Sequence, residues 1–450
     1  MSLAETIAAI ATAPGEGGIS IVRVSGDRAE EVLNAVFRPA SPGALQDRVL
    51  TYGRAVDAAG QTLDGCLAVI MRAPHSYTRE DVAELQLHGG TATARRVLQS
   101  CLDAGARLAE PGEFTRRAFL NGRIDLSQAE AVMELISARG ENQRRAAVRQ
   151  LEGGSASFIR AAADRLYDIQ AGLAACMDYP EEISDEEATD GLAPKLAALA
   201  AELEAACDER AAHLIHEGLA VALAGKPNVG KSSLLNALIR RERAIVTDIP
   251  GTTRDTVEGE ITLGGTLVRL TDTAGLRETD DPVERIGVNH ARQALSGADL
   301  VLLVLDGSAP LTREDAEAAA AVDPSRAVAL LNKADLPSCV SEEDVRALLP
   351  VREVLRVSAR DEMTLQPLRA LLAERAAVSD SLALTQPRHI EAAERAVCAL
   401  KSAGDRLAQG AMELAAVDLN EAQHALAEIT GDEADERLLD RVFSRFCVGK

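Results

Sequence analysis

The chain carries two textures of apolar patterning. Ile19 to Val24 ("ISIVRV"), Cys66 to Met71 and Val82 to His88 are β-branched or alternate apolar with polar residues, a period of two that predicts strands. "TATARRVLQSCLDAG" then reads as a helix closing on Gly105. Together they predict an α+β domain over residues 1–118. From "RRAFLNGRIDLSQAEAVMELISA" to about residue 215 nearly everything has helical spacing, broken by the acidic loop "DYPEEISDEEATDG", and "TGDEADERLLDRVFSRF" has the same character. Between them, "LAVALAG", "VRLTDTAG", "ADLVLLVLDG" and "AVALLNKAD" are continuous apolar runs separated by helical stretches. That pattern belongs to parallel strands buried on both faces and joined by crossover helices.

The expected architecture is therefore multidomain. An N-terminal α+β domain (1–118) precedes the first part of an all-α helical domain (119–215), an inserted α/β domain (216–376) and the second helical part (377–450). Each helical part is short for an independent core, so the two are expected to pack together. An insertion between them requires only that its ends be neighbours.

Composition narrows the function classes. At 450 residues the chain exceeds one ordinary core. With 47% hydrophobic residues, 2% aromatics and no Trp, the cores must be built from Leu, Val, Ile and Ala, which favours helix. A formal charge of −22 argues against a surface that wraps nucleic acid broadly, because phosphate binding depends on clustered Lys and Arg releasing counterions. Any RNA contact should be local. "ARGENQRRAAVRQ" gathers Arg139, Arg144, Arg145 and Arg149 within about three helical turns, and a solvated helix face is its plainer reading.

The cysteines (Cys66, Cys101, Cys176, Cys207, Cys339, Cys398, Cys447) are scattered singly, so neither a disulfide framework nor a zinc ribbon is expected; a reducing cytoplasm fits. "MSLAETIAAIATAPG" has no basic leader region and breaks at Pro14, and no apolar run reaches a membrane span, so a soluble cytoplasmic protein is expected. His213 and His216 lie three apart with no third ligand in sight, a surface pair rather than a metal site.

The chemistry concentrates in the α/β part. "GKPNVGKS", Gly225 to Ser232, follows an apolar strand and opens the helix "SSLLNALI". It satisfies G-x-x-x-x-G-K-[ST], in which glycines let backbone N–H groups turn toward phosphate oxygens, Lys231 reaches the β and γ phosphates and Ser232 ligates magnesium. Asn228, Val229, Gly230 and Ser233 complete this cradle. In "DTAG" (Asp272, Thr273, Ala274, Gly275), Asp272 is placed to hold the metal through water and the Gly275 amide to sense the γ phosphate.

"NKAD" selects the base. The Asp335 carboxylate accepts both the ring N–H and the exocyclic amine of guanine, a donor pair that adenine lacks, with Asn332 and Lys333 beside it. "SAR" (Ser358, Ala359, Arg360) is expected to donate from its backbone to the guanine oxygen. "TDIPGTT" (Thr247, Asp248, Ile249, Pro250, Gly251, Thr252, Thr253) is expected to close on the γ phosphate, Thr253 completing the magnesium shell. Leu276 cannot orient water, so another group must, and Glu284 in "DDPVERIG" is the nearest useful carboxylate; its alternative role is to favour a helix N-terminus. The ligand is GTP with Mg²⁺.

These elements, together with "ATAPGEGGISIVRVSG", "SYTREDVAELQLHGG", "EPGEFTRRAFLNGRIDLSQAEAV" and the terminal "CVGK", closely resemble the MnmE (TrmE) family of tRNA modification GTPases over essentially the whole chain. The resemblance implies a homodimer formed through a tetrahydrofolate-binding N-terminal domain. It also implies a hetero-tetramer with an MnmG-type FAD-binding protein. That assembly places an aminomethyl or carboxymethylaminomethyl group on carbon five of the wobble uridine of certain tRNAs, one carbon coming from a 5-formyl- or methylene-type folate, while GTP hydrolysis drives a conformational change. Family folate contacts map onto Arg23, Glu80, Arg123 and Lys450. Arg123 is commonly lysine in relatives, and Arg79 stands where they mostly have glycine. "SARDEMTLQPL" also lacks a glycine that relatives often carry. Potassium contacts map onto Asn228, Thr247, Ile249 and Thr252, and Glu284 matches the water-orienting glutamate.

The chain's last residues gain meaning from this. A cysteine four from the end suggests prenylation, but Val448 and Gly449 are not two aliphatics and Lys450 is a poor final residue for it. The resemblance instead implies that the tail folds back beside the folate, with Cys447 at the reaction site.

Overall fold

The computed structural model describes residues 5–179, 185–242, 259–273, 293–379 and 384–449. The chain divides into two compact units, one made of residues 1–136, 148–204 and 392–450, the other of 137–147 and 205–391.

In the first unit, seven strands make one sheet: β1 (Ile7–Ile10), β2 (Ile19–Ser25), β3 (Phe37–Pro39), β4 (Thr51–Val56), β5 (Thr62–Met71), β6 (Val82–His88) and β7 (Arg107–Leu108), in the order β3-β4-β5-β6-β2-β1-β7. All pairings are antiparallel except β1 with β7. Side chains alternate between faces. Ala8, Val22 and Val24 join the core under helices Ala29–Val36 and Thr91–Asp103, while Ile7 and Ala9 pack on the opposite side with Ala109 and Phe114. The same parity puts Arg23, between Val22 and Val24, on the Phe114 side, where its register partner is Glu84.

The remainder of this unit is helical. Helices Gly154–Asp178 and Asp185–Ala206 lie before the α/β segment in sequence, Pro387–Ala408 and Met412–Thr430 after it. Leu166, Leu173, Leu199, Leu400, Leu419 and Leu426 are buried. Gln170 bonds Asn420 at 3.0 Å and Lys401 pairs with Glu204 at 3.0 Å, so helices from the two sides of the insertion are tied to each other. A smaller aromatic cluster, Phe119, Phe443 and Phe446 with Leu126 and Leu439, anchors the final helix Glu436–Phe443 and aims the tail.

The second unit holds a six-stranded sheet of β8 (Leu219–Ala224), β9 (Gly259–Leu263), β10 (Thr266–Asp272), β11 (Leu300–Asp306), β12 (Ala327–Asn332) and β13 (Val354–Arg356), ordered β13-β12-β11-β8-β10-β9. It is parallel apart from β9. Helices Lys231–Glu242 and Glu362–Arg375 cover one face through Leu234, Leu238, Leu368 and Leu372, and Arg313–Ala320 and Glu342–Leu348 cover the other through Ala318 and Val345. The continuous apolar runs are the inner strands, as a sheet buried on both faces requires.

β9 is an edge strand without such a run, and its hairpin to β10 turns on Gly264 and Gly265, with φ of 58° and 83°. Left-handed conformation at both central residues is the tight hairpin turn for which glycine is suited. Residues 137–147 dock on this turn: Asn142 donates from its backbone to Gly265 O (2.9 Å) and from Nδ2 to Gly264 O (3.1 Å) and Thr266 Oγ1 (3.0 Å). That explains why a stretch expected among the helices belongs to the α/β unit.

Candidate functional site

At the end of β8 the chain enters the loop Gly225–Gly230 before helix Lys231–Glu242. A Cβ on Gly225 (φ 143°) would lie 2.3 Å from Val304 O, and one on Gly230 (φ 97°) 2.4 Å from Asn332 Nδ2. Both glycines are therefore fixed by close backbone approach and positive φ. Asn228 is also left-handed, at φ 64°, a conformation Asn tolerates better than most residues. Lys231 is buried, and its ammonium donates to Gly225 O (2.9 Å) and Lys226 O (3.1 Å), drawing the loop around a positive charge.

Ser232 Oγ donates to Asp272 Oδ2 at 2.7 Å. Asp272 is brought there because β10 pairs with β8, Asp272 against Leu223, and Thr273 Oγ1 then bonds Leu223 O at 2.7 Å. Asp272 Oδ1 is buried and accepts no hydrogen bond among the described residues. A hydroxyl and a carboxylate with an unsatisfied oxygen, next to a phosphate cradle, fit a hard divalent cation that prefers oxygen.

The residues expected to read the base lie at the ends of β11, β12 and β13. Asn332, buried, donates from Nδ2 to Val229 O at 2.8 Å, linking the end of β12 to the loop Gly225–Gly230. Lys333 (φ 64°) turns out of the strand and pairs with Asp306 at 2.6 Å. Burial alone would raise the Asp306 carboxyl, but Lys333 and Ser308 hold it below the ordinary carboxylate range. Asp335 accepts Ser358 Oγ at 2.6 Å, which keeps its carboxyl below the usual range and leaves it an ionised acceptor at neutral pH. The Ser358 N–H is spent on Thr364 Oγ1 (2.8 Å) and the Arg360 N–H on Ser358 Oγ (3.2 Å), so among the three expected donors Ala359 is the one left for a guanine oxygen.

A second cluster lies in the N-terminal domain. Arg23 Nε donates to Glu84 Oε1 at 2.8 Å, and its guanidinium sits 5.8 Å from the Tyr77 ring centroid and 5.7 Å from that of Phe114. The Arg123 guanidinium is 5.2 Å from the same Tyr77 ring, and its Nη1 donates to Ser76 O. The tail runs past this cluster: Val448 bridges Pro111, Gly112 N donates to Cys447 O at 3.4 Å, and Arg23 Nη1 donates to Gly449 O at 3.5 Å. Gly449 has φ 98°, and a Cβ there would fall 2.2 Å from Ile10 O, so the glycine is needed for close approach to β1. The Cys447 thiol is exposed.

Glu80 is engaged differently from a freely presented ligand contact. Both its oxygens accept from Arg117 Nη1 at 3.1 Å, and Ser25 Oγ donates to it at 2.7 Å. Arg117 is 1% exposed and also donates to Glu5 O and Glu113. Burial would raise the Glu113 carboxyl, but Arg107, the Glu110 N–H and Arg117 together hold it below the ordinary range. Arg79 has φ 60° and bonds Asn121 O at 2.9 Å. A left-handed backbone there favours glycine, and the guanidinium bond offsets part of the roughly 1–2 kcal/mol that a side chain costs in this conformation.

Family models match both parts of the chain: "GTP-binding protein TrmE N-terminus" over residues 6–123 and "MnmE helical domain" over 126–447. The chain belongs to the MnmE family of tRNA modification GTPases. It is 48% identical over 454 residues to the tRNA modification GTPase MnmE of Symbiobacterium thermophilum, covering 99% of both chains. It is 45% identical over 453 residues to that of Chloroflexus aurantiacus, covering 99% of this chain and all of the relative. The MnmE of Lactiplantibacillus plantarum is 42% identical over 456 residues, 99% of this chain and 98% of its own. The protein is a GTP hydrolase that takes part in tRNA modification.

For this MnmE-family chain, Thr247, Asp248, Ile249, Pro250, Gly251, Thr252 and Thr253 lie outside the described residues, as do Ala274, Gly275, Glu284 and Lys450. Arg139 pairs with Glu260, and Arg144 and Arg145 pair with Glu141, so the basic stretch is a salt-bridged helix face. His213 bonds Asp299 at 3.3 Å and His216 bonds Thr385 O at 2.9 Å; among the described residues no cluster of three metal-ligating side chains occurs. Tyr77, Phe114 and Arg117 escaped the sequence analysis because their importance arises from neighbours distant in the chain.

Guanine selection through Asp335 yields a sharp prediction. Asp335→Asn exchanges an acceptor for a donor, so GTP affinity should fall at least about 100-fold, on the order of 3 kcal/mol, while xanthosine triphosphate, with a carbonyl in place of the amine, gains affinity. Competitive titration with both nucleotides checks this; an unchanged GTP preference would remove Asp335 from base recognition.

Proposed function

We propose that this chain is a potassium-stimulated GTPase whose hydrolysis drives movement in a homodimer, and that the dimer acts with an MnmG-type FAD-binding partner in a hetero-tetramer. The modification is aminomethyl or carboxymethylaminomethyl transfer to carbon five of a wobble uridine, one carbon coming from a tetrahydrofolate derivative. The observation that supports this reading is the tail: Arg23, one of two arginines on the Tyr77 ring, donates to Gly449 O, two residues from the exposed Cys447.

In the GTPase domain, the backbone N–H groups of Asn228, Val229, Gly230, Lys231, Ser232 and Ser233 bind the phosphates, and Lys231 neutralises them. Ser232 and Asp272 hold magnesium, with Thr253 from the following loop. The left-handed Asn228 presents its side-chain oxygen to a potassium ion, joined by Thr247, Ile249 and Thr252. A cation fixed there supplies positive charge against that developing between the β and γ phosphates. Glu284 orients the attacking water.

In the N-terminal domain, Arg23 and Arg123 bind the carboxylates of the folate, and Lys450 adds a third charge. Glu80, clamped by Arg117 and Ser25, fixes the loop that carries Tyr77 and has one edge to offer the pteridine. Folate supplies the one-carbon unit; the chain's own residues bind it, orient it and bring the Cys447 thiol alongside.

Two measurements test this reading. GTP turnover at equal ionic strength should be at least about tenfold faster in potassium than in sodium, consistent with a charge-stabilising effect of roughly 1.4 kcal/mol or more; equal rates would refute the potassium site. Deletion of residues 447–450 should leave GTP hydrolysis within about twofold of the intact chain and abolish wobble-uridine modification in a complemented deletion strain, read by nucleoside mass spectrometry. Full modification by the truncated chain would show that the tail has no part in the chemistry.

A further inference from the structure

Among the described residues, the Tyr77 ring is the group that both arginines of the N-terminal cluster share. Arg23 arrives from β2 and Arg123 from the turn after helix Glu113–Leu120, yet their guanidinium carbons lie 5.8 and 5.2 Å from the same ring centroid. The ring is itself held: its hydroxyl is 2.9 Å from Thr115 Oγ1, a fully buried residue, and its body packs against Ile7, Ala9, Ala109 and Phe114. Two guanidinium groups repel each other; Glu84 offsets the charge of Arg23, and the negative face of the shared ring attracts both.

Arg23 uses Nε on Glu84 and Nη1 on Gly449, and Arg123 uses Nη1 on Ser76. Arg23 Nη2 and the Nε and Nη2 of Arg123 make no hydrogen bond among the described residues. Planar guanidinium edges of this kind are suited to bidentate capture of carboxylates.

We propose that Tyr77 is a positioning residue that gathers Arg23 and Arg123 into a two-arginine clamp for the carboxylate end of an anionic ligand. The inference rests on the folate reading above, and it assigns the ring a different task from stacking on the pteridine. Removing the hydroxyl keeps the clamp, since the ring face does the gathering. Removing the ring lets the guanidinium groups separate.

The test is equilibrium titration of the full-length protein with two probes, 5-formyltetrahydrofolate and a pterin without carboxylates, using wild type, Tyr77→Phe and Tyr77→Leu, with GDP affinity as a check on folding. Tyr77→Phe should bind 5-formyltetrahydrofolate within about threefold of wild type, and Tyr77→Leu about tenfold or more weakly, as the loss of two cation–π contacts implies. The pterin should not distinguish the three proteins. Equal loss for both probes would assign the ring to pteridine packing or to the fold and overturn the clamp, as would an unchanged Tyr77→Leu. A wild type that binds the pterin or neither probe, but not 5-formyltetrahydrofolate, would overturn the folate reading itself and the clamp with it. Should the leucine variant fail to fold, Tyr77→Met, an apolar side chain without a π face, gives a second readout: it should bind 5-formyltetrahydrofolate about tenfold or more weakly and the pterin as wild type does, and an unchanged folate affinity would overturn the proposal.

Discussion

The bond from Asn332 Nδ2 to Val229 O is the constraint on which the nucleotide site depends. It joins β12, the strand proposed to read the base, to the loop proposed to hold the phosphates, and it forms only because residue 230 has no Cβ, which would fall 2.4 Å from that nitrogen. From this point the geometry propagates. Lys333 is turned out of β12 toward Asp306, Asp335 is aimed by Ser358, and Lys231 gathers the loop carbonyls beneath the phosphate position.

The N-terminal domain solves a different problem, which is to keep a chain end in place. Most termini fray because nothing offsets the entropy of ordering them. Here the aromatic cluster of Phe119, Phe443 and Phe446 fixes the approach, the Pro111–Val448 bridge supplies backbone pairing, and Gly449 fits against β1 where any side chain would collide with Ile10 O. The charged network of Glu5, Glu80, Arg107, Glu113 and Arg117 lies under the adjoining loop and immobilises it with a buried guanidinium.

Much of the fold was legible in the sequence because its signals are local. The runs of β8, β10, β11 and β12 declare a sheet buried on both faces, and "GKPNVGKS" in a strand–loop–helix setting declares the phosphate site. β9 was hidden because an edge strand of five residues needs no continuous apolar run; Glu141–Leu151 is helix, as its spacing predicts, but the attachment of residues 137–147 to the α/β unit is a set of hydrogen bonds to a glycine turn that leaves no pattern in the chain. The second site was legible only through family likeness. Tyr77 and Phe114 have no spacing relation to Arg23 or Arg123; the pleat of β2 and the fold of the domain bring them together. Glu80 was visible as a carboxylate, but its bond to a buried arginine 37 residues away was not.

The central claim is that Asn332, Asp335 and Ser358 form a guanine-specific site held rigidly to the phosphate loop. Displacement of a fluorescent GDP analogue from the intact protein, with unlabelled GDP and ADP as competitors, tests it most directly. GDP should displace the analogue at micromolar concentration while ADP at an excess of about 1,000-fold leaves it bound, the discrimination expected when buried base-reading groups would go unpaired. Displacement by ADP at concentrations comparable to GDP would contradict it.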